Sequence, residues 1–446
     1  MSYFYQMLAF LLAIGPLVIF HELGHYAVAR LCGVKVLRFS FGFGQVVWSR
    51  RFGRDQTEWA ISALPLGGYV KMLDSRDPAT APKTDEEAKR EFTRQSVWRR
   101  IAILAAGPLA NFIVAIALFS GLYMHGMEDA STRIRHMADT SAVYQAGLRG
   151  GDQILAVNDT PVATWTDLRW EVLQAALDKS EIRLAVSQQG GARFSALIPA
   201  ATLDGIDLEG DVLGALGLMV ERPPAVVGKL PAGGPADRAG LKTGDLVTGI
   251  DGKPVRDVID VVRVVRASKG STLAFSGTRA GQPFTLEVTP DVDPATKVAV
   301  IQAEFASVPE MVTVPVGPIS AVGKAVRTTW ETSSMTVRMI GKMITGQVSW
   351  KNVTGPFTIA DYAEKTARLG PVDFLRFIAF ISISLGVMNL LPIPVLDGGY
   401  LLYYSLEVLT GRPLPERIVD FAQRAGFGLL VMLMMLAIFN DVARRL

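Results

Sequence analysis

Phe20-His21-Glu22-Leu23-Gly24-His25 lies inside an apolar run that extends from about Met7 to Leu31. A helix brings residues four apart onto one face, so His21 and His25 sit one turn apart, as a zinc-binding imidazole pair requires, with Glu22 beside them as a base. The run is long enough to cross a bilayer, where ionisable side chains are costly unless they meet a partner or a water-filled cavity. The stretch therefore predicts a polar site sunk in a membrane helix. It does not read as a signal peptide, because it lacks a basic start, is too long, and carries its titratable residues in its second half. Arg30, Lys35 and Arg38 come at or after its end and no basic residue precedes it, which places that end in the cytoplasm and the site toward the cytoplasmic side.

The rest of the composition agrees with a part-membrane chain. Half of the 446 residues are hydrophobic and 20% are charged, with a mean hydropathy of +0.29. Apolar blocks and a soluble portion must therefore coexist. The net charge of +3, with no basic stripe interleaved with aromatics, excludes nucleic acid as the expected partner. Cys32 is the single cysteine, so neither an intrachain disulfide nor a multi-cysteine zinc site is available.

Residues 1–125 are expected to hold two membrane helices joined by a cytoplasmic loop. Within that loop, Phe39-Ser40-Phe41-Gly42-Phe43-Gly44 and the run from Trp59 to Lys71 read as short strands with glycine kinks. A re-entrant sheet beside His21, whose free edge near Gly67 and Gly68 pairs with an extended substrate, accounts for strand-like sequence at that depth. Residues 74–95 are charged and read as a mobile, solvated stretch. The second span runs from about Ile101 to Met124; its small residues permit close helix contact, and Asn111 is expected to hold a neighbouring helix rather than touch the site.

From about 126 to 308 the composition turns soluble and the chain repeats itself. Ala146-Gly147-Leu148-Arg149-Gly150-Gly151-Asp152-Gln153-Ile154 aligns with Ala239-Gly240-Leu241-Lys242-Thr243-Gly244-Asp245-Leu246-Val247, and each copy continues into a turn and a helical run. The pattern resembles the PDZ domain, duplicated over 126–218 and 219–308, an α+β module that takes extended peptides by strand addition. Leu216-Gly217-Leu218 resembles the carboxylate-binding loop and is assigned to the second copy, with Val255 to Arg266 as its groove helix. Steric filtering without peptide capture is the equal alternative. On the orientation above, the repeats lie outside the cytoplasm.

Residues 309–372 form a linker region in which Ile319, Val322, Val326, Trp330, Val337, Ile340 and Ile344 recur at helical spacing. That predicts an interfacial amphipathic helix, with packing on the repeats as the alternative. Residues 373–446 carry two further spans. The third, from near Phe374, is broken by Asn389-Leu390-Leu391-Pro392-Ile393-Pro394-Val395-Leu396-Asp397-Gly398-Gly399, which cannot form a regular helix. The fourth, about Ala425 to Phe439, is short unless flanking residues extend it.

Zinc hydrolysis needs three protein ligands and an open position. His21 and His25 supply two; His125 and His136 lack suitable spacing. Asp397 is the third, because an aspartate in an unwound membrane stretch reads as a site. Glu22 is then the base, and Asn389 an uncharged donor for a developing oxyanion.

Taken together these residues resemble the site-two protease family of intramembrane zinc metalloproteases, most of all its Gram-negative, sigma-E-regulating branch. The resemblance runs through Phe20–His25, Pro65-Leu66-Gly67-Gly68-Tyr69-Val70, Gly107-Pro108-Leu109-Ala110-Asn111-Phe112, the tandem PDZ pair, Gly355-Pro356, and Asn389 to Gly398. It implies a polytopic α-helical protein of four transmembrane helices in the bacterial inner membrane, with both termini and the PDZ pair periplasmic. It also implies Zn2+ on His21, His25 and Asp397, Glu22 as base, and Asn389 at the substrate carbonyl. The implied substrates are single-pass membrane proteins, such as a pre-cleaved anti-sigma factor, and remnant signal peptides. Phe357-Thr358 departs from the family's usual residues, in the linker and away from the chemistry. Arg444 and Arg445 run against the orientation, outweighed by the basic early loop. The competing reading is a non-catalytic receptor or quality-control adaptor built on the PDZ pair. A transporter is disfavoured because no inverted membrane repeat is evident.

Overall fold

The computed structural model describes residues 2–76, 78–203, 211–293, 296–346, 350 and 353–443; Arg444 and Arg445 lie outside them. The chain divides into two compact units, one formed by Met1–Met127 with Pro315–Leu446 and the other by Glu128–Val314.

The first unit opens with α1 (Ser2–Leu31), β1 (Val36–Phe52), β2 (Thr57–Met72), the short α2 (Asp85–Lys89) and α3 (Val97–His125). The strands are long because each is used twice. Arg38–Phe41 register with Gly68–Lys71 on one side and with Glu58–Ile61 on the other, while Trp48–Phe52 pair back onto Thr57–Ile61. The glycines at 42 and 44, with φ of 90° and 87°, turn β1 between its two pairings, a conformation side chains resist. Many of the described residues between 74 and 95 are exposed, but the segment is pinned down at Glu91 and Phe92. Phe92 packs with Ala29, Val34, Val36, Ile103 and Tyr404, and Glu91 is fully buried, accepting from Ser75 N (2.7 Å) and from Ser75 Oγ. The charge pattern concealed one aromatic anchor and one buried carboxylate.

The second unit follows, built from two copies of one plan. The first copy has a short helix α4 (Ala142–Gln145), strand β4 (Gln153–Val157), a two-residue β5 (Thr160–Pro161), helix α5 (Trp165–Leu177), the hairpin β6 (Ile182–Ser187) and β7 (Arg193–Ile198), and a closing turn of helix α6 (Val212–Leu216). The second has α7 (Pro235–Arg238), β8 (Leu246–Ile250), β9 (Lys253–Pro254), α8 (Val258–Ala267), β10 (Leu273–Arg279) and β11 (Gln282–Val288). The sheets have the same order, β5-β4-β6-β7 and β9-β8-β10-β11. The helices begin at Thr164 and Asp257, whose side chains accept from the first-turn amides Asp167 N, and Ile259 N and Asp260 N. In each copy the chain returns to its own start: Arg135 N donates to Met219 O (2.7 Å), and Gly228 N to Glu304 O (2.7 Å). The remaining short strands are β3 (Glu128–Ala130), β12 (Asp291–Val292), β13 (Ala299–Val300) and β14 (Met311–Thr313); β14 pairs with β3 at the base of the unit.

The chain then re-enters the first unit as α9 (Pro318–Ile344), α10 (Pro356–Leu369), α11 (Pro371–Leu390), α12 (Asp397–Thr410) and α13 (Glu416–Ala443). Among the described residues, four helices are long and apolar enough to cross a membrane: Phe4–Leu31, Val97–His125, Pro371–Leu390 and Arg417–Ala443. The fourth is 27 residues long, so flanking residues do extend it. Helix α9 buries Ala321, Ala325 and Thr329, not its large apolar residues, and Thr328 Oγ1 lies 2.8 Å from Tyr123 Oη of α3. Ile319, Val322, Val326 and Trp330 face outward. Small residues inward and large ones outward is the arrangement by which helices pack in lipid. Thr358 is explained as well, since Gly355 N, Thr358 N and Thr358 Oγ1 all donate to the buried carboxylate of Asp441 at 2.6–3.0 Å, tying α10 to the end of α13.

In the second repeat, Asp245 is buried and accepts two bonds of 2.7 Å from Arg279, whose guanidinium holds its carboxyl below the usual carboxylate range. Unfolding returns it to an ordinary value near about 4. The stabilisation from this pair is therefore complete above that pH and is lost as pH falls through the lower, folded value. Asp245→Asn should flatten the acid limb of the thermal stability curve in detergent and lower stability at neutral pH.

Candidate metal centre

His21 and His25 lie in the second half of α1, both buried. Their Nε2 atoms are 3.3 Å apart. Asp397 is the first residue of α12, and its Oδ2 lies 3.2 Å from His21 Nε2 and 3.3 Å from His25 Nε2. Among the described residues this is the one group of three or more histidine, cysteine or acidic side chains able to hold a metal ion. A tetrahedron with bonds of about 2.0 Å has edges of about 3.3 Å, which is the spacing of these three atoms and the bond length zinc takes with imidazole and carboxylate.

The donor chemistry also requires a positive centre. His25 Nδ1 is 2.8 Å from the carbonyl oxygen of Ile103, so that nitrogen carries the proton and Nε2 is left with a lone pair. Asp397 Oδ2 is buried and has no hydrogen-bond partner. Lone pairs this close repel one another unless a cation or a proton lies among them. The residues present therefore fit zinc.

Close backbone approach makes the cluster possible. A methyl group at Gly107 of α3 would lie 2.2 Å from His25 Nε2 and 2.8 Å from His21 Cε1, and one at Gly24 would lie 2.3 Å from Ala106 O. On the other side, methyls at Gly398 and Gly399 would fall within 2.5 Å of the carbonyl oxygens of Leu391, Leu390 and Ile393. Helix α12 can thus begin immediately under the broken segment. Val395 there has φ of 88°, a region where a β-branched side chain is strained.

Glu22 is half-buried beside the ligands, and a methyl built on Gly68 would lie 2.8 Å from its Cγ and 2.8 Å from Ser40 O. The strand that carries Gly68 therefore runs past Glu22. Gly67 instead lies under the ring of Phe43. Asn389 is half-buried on the last turn of α11; among the described residues no hydrogen bond joins it to His21, His25 or Asp397. Asn111 corrects its expected role, because Nδ2 lies 3.2 Å from His21 Nδ1. It touches the site. The spacing of Gly107 and Asn111, four apart on one face of α3, is the signal that would have pointed Asn111 to the site.

Leu216-Gly217-Leu218 also moves. Leu216 and Leu218 are fully buried in the core of the first repeat, with Leu168 and Val172 of α5, not in the second. Gly217 N donates to Gly214 O (3.0 Å) and Leu218 N to Leu213 O (2.8 Å), so both amides are occupied within the loop.

Two imidazoles one helical turn apart, an intervening glutamate and an aspartate from a distant helix define a zinc metallopeptidase, here with its histidines on a helix of membrane-spanning length. The chain belongs to peptidase family M50, whose model matches residues 9–433, and it is a zinc metalloprotease. Proteins assigned as zinc metalloproteases in Ralstonia nicotianae and Neisseria meningitidis are 40% and 37% identical, over 98% and 99% of this chain and 98% and 100% of theirs. The regulator of sigma-E protease of Escherichia coli is 36% identical over the full length of both chains. A PDZ domain from Listeria monocytogenes covers 20% of this chain and 92% of its own at 17% identity with a TM-score of 0.18.

Gly107→Ala should push the imidazoles apart while leaving α3 a better helix former. Metal analysis of the purified variant should find zinc reduced at least about tenfold relative to wild type, with the protein still folded.

Proposed function

We propose that the chain is an intramembrane endopeptidase of the bacterial inner membrane that cuts single-pass membrane proteins, with His21, His25 and Asp397 as the zinc ligands. The observation that carries this reading is the convergence of three donor atoms, mutually 3.2–3.3 Å apart, from the membrane-length helix α1 and from the start of the short helix α12, remote in sequence. Bound zinc supplies a water of lowered pKa and polarises the scissile carbonyl. Glu22 takes the proton from the attacking water at its carboxylate and returns it to the leaving amide nitrogen. The carboxamide of Asn389 donates to the oxygen of the substrate carbonyl as charge develops there.

The substrate is held as a strand. Residues 68–72 pair with Val36–Phe41, and among the described residues no other strand is registered on their far side. An unwound substrate segment added to that edge passes Gly68, and hence Glu22, with its backbone exposed to attack. The outward-facing Phe43, Val46, Val47, Trp48, Ile61 and Leu64 suit a sheet that dips into lipid as a re-entrant element.

The two repeats are PDZ domains on the periplasmic side, and the metal site lies toward the cytoplasm, as the basic residues after α1 favour. Because the Gly217 and Leu218 amides are already bonded within their loop, the first repeat does not offer them to a carboxylate, and the pair is read as a size filter. Substrates are then transmembrane proteins whose outer domain has already been removed, a pre-cleaved anti-sigma factor among them, and remnant signal peptides.

Glu22→Gln should retain about one zinc per chain and fall by about 10²–10⁴-fold in cleavage of a transmembrane reporter. Wild-type cleavage by that variant would remove Glu22 from the mechanism. Deleting residues 128–314 should let a reporter with a bulky periplasmic domain be cut at the rate of a trimmed one; unchanged discrimination would end the filter reading.

A further inference from the structure

We infer that the Asn111 carboxamide is the positioning residue for His21, with Oδ1 rather than Nδ2 turned to the imidazole, so that it accepts from Nδ1–H and holds the Nε2 lone pair toward the cation. This rests on the zinc reading above and deepens it. Asn111 is fully buried, and its main chain is fixed independently, since Ser382 Oγ of α11 donates to its carbonyl oxygen at 2.7 Å. The side chain sits with Nδ2 3.2 Å from His21 Nδ1 and with Oδ1 buried and unpartnered.

The two ends of a carboxamide have nearly the same shape, so which one faces a neighbour is decided by the hydrogen bonds available. His21 Nε2 points at Asp397 Oδ2 and His25 Nε2. If Nε2 is a ligand, the imidazole proton must be on Nδ1. An amide N–H facing that N–H would set donor against donor; rotating the amide by a half turn replaces the clash with an N–H···O bond.

The neighbouring histidine shows the same design. His25 Nδ1 lies 2.8 Å from Ile103 O, also on α3. Ile103, Gly107 and Asn111 are spaced four apart and fall along one face of that helix. The first supplies an acceptor for His25, the second leaves room for both rings, and the third supplies an acceptor for His21. One face of α3 thus orients both ligands, as acceptors behind metal-bound imidazoles generally do.

The test compares variants of the full chain in detergent by competition for zinc against a chelator of known affinity. Asn111→Leu, which keeps size and removes the acceptor, should weaken zinc binding about 10–100-fold. Asn111→Asp, which keeps the acceptor and loses the donor, should stay within a few-fold of wild type. Equal affinity in Asn111→Leu and wild type, or equal loss in both variants, would reduce Asn111 to a packing role. Should Asn111→Leu fail to fold, nitrogen-15 histidine NMR of zinc-loaded wild type decides the point. The expected spectrum has a protonated, hydrogen-bonded Nδ1 on His21 and metal at Nε2; metal at Nδ1 would overturn the inference. Wild type that binds no zinc would instead sink the metal-site reading itself.

Discussion

Three lone-pair-bearing atoms held within 3.3 Å of one another, on largely buried side chains, are mutually repulsive until a cation or a proton sits among them. That constraint governs the membrane half of this protein. Two of the atoms come cheaply, because residues four apart on a helix share a face. The third arrives from 372 positions beyond His25, and most of the unusual local structure serves to bring it there. The interruption after Leu390 turns the chain, glycines at 398 and 399 let α12 start against the carbonyl oxygens of that turn, and Val395 is held in a conformation few valines adopt. Strain of this kind persists only where surrounding packing enforces it. Here it lies two residues from Asp397.

The same economy appears on α3. Gly24 and Gly107 bring α1 and α3 into near backbone contact, so the second helix reaches behind the imidazoles with both a carbonyl and a carboxamide. Had either position carried a side chain, the helices would stand farther apart and the acceptors would be out of reach. Small residues at a helix interface are often explained by packing alone. In this bundle they also bring a carbonyl and a carboxamide of α3 against His25 and His21.

Much of this was legible in the sequence, for reasons that can be separated residue by residue. His21, Glu22, His25 and Asp397 announced themselves because charged or titratable groups in membrane-length segments are costly. The internal repeat was equally legible, since one supersecondary plan written twice leaves the same glycines and aspartates in register. What failed were particular placements that depend on packing distant in sequence. Leu216–Leu218 were assigned to the wrong repeat because each repeat is closed by a strand that returns to its own beginning, which no local pattern reveals. Residues 74–95 looked solvated because charge outweighs a single Phe92 in any composition window, although that ring anchors the segment. The apolar spacing of α9 reads as an amphipathic helix whose large residues are left for lipid, and they are exposed; that Ala321, Ala325 and Thr329 form its buried face needed the structure. Asn111 was read as a helix clamp, and its backbone does serve as one, but its side chain belongs to the metal site.

X-ray absorption at the zinc edge of the purified full-length protein reads the coordination of the metal itself. The expected result is about one zinc per chain, with two imidazole nitrogens, one carboxylate oxygen and a further light atom at about 2.0–2.1 Å. A sulfur ligand, a single imidazole, or zinc bound well below one per chain would contradict it.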